Sequence, residues 1–126
     1  MNHYYRHYDH NRVRGRGQKY GNHKVTINGQ TFDSEKEGKR WWELQVLERA
    51  GEIFELRRQV KYELIPPQFD DKGKLLEQSC VYKADFAYLD KTGNLIVEDT
   101  KGFKTRDYVI KRKLMLKVYG IRIKEV

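Results

Sequence analysis

The chain has 126 residues, 38% of them hydrophobic and 35% charged, enough for one domain with a single modest core. Twenty-six Lys and Arg against eighteen Asp and Glu leave a net charge of +8, which favours a polyanionic partner, nucleic acid before all others. No run reaches the length of a membrane span, the N-terminus lacks the apolar core of a signal peptide, and no basic amphipathic helix with a clean apolar face marks a membrane-surface protein.

Residues 1–19 interleave His3, Tyr4, Tyr5, His7, Tyr8 and His10 with Arg6, Arg12, Arg14 and Arg16, without apolar periodicity. This predicts a flexible basic and aromatic arm ahead of a domain over residues 20–126. Arg and Tyr together suit phosphate contacts and base stacking, with Arg14 and Arg16 the candidate DNA contacts; a plain solvated tail is the alternative. His3, His7 and His10 could share one side of a helix, but no carboxylate or Cys cluster completes a metal site there.

From Lys24 to Phe32, Val25 and Ile27 before Asn28-Gly29 predict a short hairpin. Ser34 followed by Glu37 matches a capping box, so a helix should run to about Ala50 with Gly51 at its C-terminus. Glu37 has two readings at this point. It can be the capping glutamate, yet Glu37, Trp41 and Leu44 follow helical spacing, which puts its carboxylate on the apolar stripe.

Ile53 to Leu64 is the next strand, ended by Pro66-Pro67, and Asp70-Asp71-Lys72-Gly73 is a turn. Cys80 has no partner for a disulfide or a metal, which suits a reducing cytoplasm, and it reads as a small buried hydrophobe. Two apolar runs, Phe86 to Leu89 and Leu95 to Val97, flank a turn at 90–94 and predict a hairpin. Positions equally far from the turn meet, so Asp85 should lie level with Asp99. Asp99 and Lys101 share the face of Leu95 and Val97, while Glu98 points the other way with Ile96. Two carboxylates and an ammonium on one face are costly unless paired, metal-bound or at a sheet edge.

Thr105 then caps a helix to Tyr119, closed by Gly120, with Ile110, Leu114 and Val118 as its expected buried stripe. Lys104, Arg106, Lys111, Arg112 and Lys113 make a basic surface beside the strand end that carries Lys101. Ile121 and Ile123 belong to a final strand, which a helical crossover makes parallel to the one before. The order helix, three strands, helix, strand predicts an α/β domain with a mixed sheet and helices on its faces.

Asp85 followed by Asp99-Thr100-Lys101 at the end of an apolar strand resembles the PD-(D/E)xK motif of Holliday junction resolvases, restriction enzymes and TnsA-like nucleases. Ala84 stands where the superfamily's name has Pro. Residues 20–126 are also similar to a phage and prophage family catalogued as domain of unknown function 1064. That likeness rests on Tyr20-Gly21-Asn22, Phe32-Asp33-Ser34 with Glu37, Gly51-Glu52-Ile53, Gln59, Ala84-Asp85-Phe86, Val97 to Phe103 and Thr105.

The resemblance implies a restriction-endonuclease-like αβββαβ core and a Mg²⁺-dependent DNA endonuclease, with Mn²⁺ as a substitute. Asp85, Asp99, Lys101 and Glu37 would be the catalytic residues. Asp85, Asp99, Glu37 and the Thr100 carbonyl would hold the metal. Gln59, Thr105 and the basic residues named above would meet DNA. The small size points to a homodimeric, junction-resolving type acting on branched DNA in phage recombination or replication, inside the bacterial host. A nickase or unselective nuclease, and a non-catalytic DNA-binding protein on the same fold, are the alternatives.

Overall fold

The computed structural model describes residues 24–126, so the N-terminal arm, including His3, His7, His10, Arg14, Arg16 and the Tyr20-Gly21-Asn22 segment, lies outside the described residues. The described residues divide into two compact units between Lys39 and Arg40.

In the first unit, β1 (Val25–Ile27) and β2 (Gln30–Phe32) form the expected antiparallel hairpin. Asn28 and Gly29 both take left-handed φ angles, 51° and 81°, as a tight two-residue turn requires. Helix α1 (Glu35–Arg49) begins here. Ser34 Oγ accepts from the Glu37 amide at 3.1 Å, one half of the capping box. The Glu37 carboxylate reaches back one residue beyond the cap and accepts from the Asp33 amide at 3.2 Å. Glu37 is buried, as its place on the apolar stripe predicts. Gly38 follows because a Cβ there would come within 2.5 Å of Ile27 Cδ1 and 3.3 Å of the Phe32 ring.

The second unit holds a four-stranded mixed sheet in the order β3-β6-β7-β8. Strands β3 (Ile53–Ile65), β6 (Cys80–Asp90) and β7 (Leu95–Asp99) pair antiparallel, and β8 (Lys124–Glu125) lies parallel to β7 after helix α2 (Arg106–Tyr119). The sequence of core elements is α, β, β, β, α, β, compatible with a restriction-endonuclease-like core. Between β3 and β6, β4 (Gln68–Phe69) and β5 (Leu75–Glu77) form a small separate hairpin. Its turn is tied by Asp70, which accepts from the Lys72 and Lys74 amides.

Each face of the sheet has its own core. On one, Trp41, Leu44 and Leu47 of α1 pack on Ile53, Leu56, Phe86, Tyr88 and Ile96. Trp41 stacks on Phe86 with ring centroids 5.9 Å apart. On the other face, Tyr108 and Met115 of α2 pack with Leu64, Tyr82, Ala84, Ala87 and Val97, and Cys80 lies against this core.

Helix α2 is capped as expected: Thr105 Oγ1 accepts from the Tyr108 amide, and Gly120 takes φ 70°. Its buried stripe is not the expected one. Ile110 and Val118 are exposed and Leu114 is only half-buried, while Tyr108 and Met115 face the sheet. An aliphatic count misplaced the stripe because an aromatic and a Met fill it, with the Tyr108 hydroxyl reaching Glu125 at 2.6 Å.

Candidate active site

The hairpin register decides the site. Pairs Leu89↔Leu95, Tyr88↔Ile96, Ala87↔Val97 and Phe86↔Glu98 run in step from the turn, and the next step sets Asp85 against Asp99. Strand β6 is longer than the sequence indicates and starts at Cys80, so Asp85 sits mid-strand, at the level where β7 ends. Beyond Asp99 the chain leaves the ladder. The Thr100 amide, without a strand partner, donates to Asp85 Oδ2 at 2.9 Å, and the Thr100 hydroxyl donates to the same oxygen at 2.7 Å.

Asp99 is 1% exposed. Its Oδ2 accepts from the Tyr82 hydroxyl. Its Oδ1 is buried and receives no hydrogen bond. Lys101 Nζ stands 3.4 Å from that oxygen, an ion pair without hydrogen-bond geometry, and lies over the Tyr108 ring at 4.8 Å. Burial, then the neighbouring Asp85 charge, push Asp99 up to about 7, against the pull of Lys101. Burial and the Asp99 charge raise Tyr82 well above its ordinary range, so it remains a donor.

Glu98, one residue earlier, faces the other way as predicted, and its environment is the opposite. It is fully buried, yet both oxygens are covered: Arg40 donates from Nε to Oε1 at 2.8 Å and from Nη2 to Oε2 at 2.7 Å, and Tyr88 donates its hydroxyl to Oε2. The bond to Glu98 holds Arg40 above its already high range, so the guanidinium stays charged.

The basic residues after the motif divide into two groups. Lys104 and Arg112 converge on Glu125, at 3.3 Å and 3.0 Å; the Tyr108 hydroxyl first, then these two cations, hold its carboxyl down to about 2. Arg106 and Lys113 are exposed and Lys111 half-buried on α2. Gln59 is half-buried in β3 with a left-handed φ of 54°. The hydrogen-bond partners given above for Glu37 belong to its own segment. Among the described residues, no group of three or more His, Cys, Asp or Glu side chains is arranged to hold a metal ion, so the acidic cluster on this face is the pair Asp85 and Asp99.

Sequence reasoning passed over Tyr82, Tyr108 and Glu125. Strict alternation puts Tyr82 on the face opposite Asp85, and only an irregularity in the strand brings it round.

One family model matches residues 17–124, almost the whole chain. The chain belongs to the family described as protein of unknown function (DUF1064). No curated protein and no solved structure matches it. For this DUF1064 protein the donor set suits a hard divalent cation: two carboxylates, one carrying a buried oxygen that no protein group hydrogen-bonds. Among the described residues, no helix is long and apolar enough to cross a membrane.

Proposed function

We propose that this DUF1064 protein is a PD-(D/E)xK-type nuclease, a Mg²⁺-dependent endonuclease that hydrolyses phosphodiester bonds in branched DNA. The observation that carries the reading is the juxtaposition of Asp85 and Asp99, with Asp99 Oδ1 buried, without a hydrogen bond and facing Lys101. A structural ion pair would resemble the Arg40 and Glu98 arrangement, with every carboxylate oxygen covered. Asp99 is left incomplete at the place where a cation would complete it.

Asp85 and Asp99, with the Thr100 carbonyl, would hold the metal. Bound Mg²⁺ supplies positive charge for the phosphoryl oxygens and acidity for the attacking water. Lys101 lowers the repulsion between the carboxylates before the cation arrives, and its ammonium would orient the water or neutralise the scissile phosphate. Arg106, Lys111 and Lys113 on α2 supply charge for the flanking phosphates. Action as a two-fold dimer on a junction belongs to the same proposal.

The test is incubation of the purified protein with labelled junction, flap, duplex and single-stranded DNA, with Mg²⁺ and with EDTA. Cleavage of junction DNA only with Mg²⁺ supports the reading. Metal-independent binding without cleavage of any substrate favours the DNA-binding alternative, and equal cutting of all substrates favours an unselective nuclease.

A further inference from the structure

The two motif carboxylates share a pattern that Glu98 lacks. On each, protein donors fall on one oxygen only. Thr100 places both of its donors, amide and hydroxyl, on Asp85 Oδ2. Tyr82, itself 3% exposed, places its hydroxyl on Asp99 Oδ2. Asp99 Oδ1 receives none, and both Thr100 donors leave Asp85 Oδ1 aside.

We propose that Tyr82 and Thr100 are positioning residues: each pins one oxygen of a motif carboxylate and thereby leaves the other for a shared divalent cation. The proposal rests on the metal-site reading given above. Outer groups that fix the orientation of a ligand normally contribute about 10- to 100-fold in metal affinity. A core role alone does not account for the Tyr82 hydroxyl, because Phe would fill the same space without holding a carboxylate charge inside the protein. Tyr88 is the internal contrast. It is buried to a similar degree and also donates to a buried carboxylate, but that carboxylate is Glu98, already covered by Arg40 on the α1 side.

The experiment is calorimetric titration of the full chain with Mn²⁺ in the absence of DNA. It compares wild type, Asp99→Asn, Tyr82→Phe, Thr100→Val and Tyr88→Phe, each checked for folding by its melting curve. Tyr82→Phe should bind Mn²⁺ about 10- to 100-fold more weakly. Thr100→Val should fall at the low end of that range, because the backbone amide still holds Asp85. Tyr88→Phe should stay within about twofold of wild type, whatever its melting temperature. If Tyr82→Phe does not fold, the half-exposed Thr100→Val decides. Wild-type affinity in Tyr82→Phe and Thr100→Val, with binding lost in Asp99→Asn, overturns the positioning role and leaves the metal site standing. A wild-type protein that takes up no Mn²⁺ at millimolar concentration overturns both.

Discussion

Gln59 of β3 and Asp85 of β6 face each other across the sheet, between the pairs Arg58↔Phe86 and Val60↔Ala84, and both strands change face there. Before the break, Leu56 and Phe86 belong to the α1 core; after it, Val60, Tyr62, Tyr82 and Ala84 belong to the α2 core. Tyr82 lies beyond the break, on the α2 side, where its hydroxyl donates to Asp99. Gln59 takes a left-handed φ of 54° at this level of β3, a conformation that L side chains rarely adopt. Gln59→Gly should therefore be more stable than Gln59→Ala by about 1 kcal/mol, the reverse of the order in an ordinary strand. Urea unfolding of the two variants checks this, and Ala above Gly would contradict it.

The raised Asp99 group makes stability depend on pH. Its folded value of about 7 lies above the unfolded carboxylate value, so the folded state binds the extra proton. Its contribution is complete below the unfolded value near pH 4 and is lost as pH rises through about 7. In EDTA, wild type should lose roughly 2 to 4 kcal/mol relative to Asp99→Asn between pH 4 and pH 8. Melting curves at both pH values measure the difference. Parallel pH profiles for the two proteins would remove the assignment.

Arg40 and Glu98 form the buried structural pair. Arg40→Met should destabilise the fold by about 3 to 5 kcal/mol, because it leaves a carboxylate buried with only the Tyr88 hydroxyl and the Lys124 ammonium near it. Arg40→Met combined with Glu98→Gln should recover much of that loss. A double-mutant cycle in guanidinium reads the coupling; additive losses would show that the pair is not a unit.

Glu37 separates two roles by substitution. Gln keeps an oxygen for the Asp33 amide, so Glu37→Gln should be more stable than Glu37→Ala by about 1 kcal/mol. With the fold preserved in Glu37→Gln, a loss of Mg²⁺-dependent cleavage would assign the carboxylate to the chemistry that the family resemblance implies. Undiminished cleavage would assign it to the cap alone.

Much of this architecture is written in short-range signals. Ser34, Thr105, Gly51 and Gly120 mark helix ends because capping chemistry is local, and the turn at 90–94 sets Asp85 against Asp99 because hairpin register is counted from the turn. What stayed hidden depends on tertiary context. The face of α2 was misread because Tyr108 and Met115 carry its burial while Ile110 and Val118 face solvent. Tyr82 was missed because the change of face in β6 between Phe86 and Ala84 has no signature in residue type. Arg40 and Glu98 are 58 positions apart, and no periodicity links a helix position to a strand that distant.

The claim under all of this is that Asp85 and Asp99 grip one divalent cation between them. A crystal of the wild-type protein grown with Mn²⁺, with data collected at the manganese absorption edge, tests it directly. An anomalous peak in contact with Asp85 Oδ1 and Asp99 Oδ1, absent from an Asp99→Asn crystal, is the expected result. An Mn²⁺-saturated crystal whose only peaks lie elsewhere, with Lys101 still against Asp99, would contradict the account.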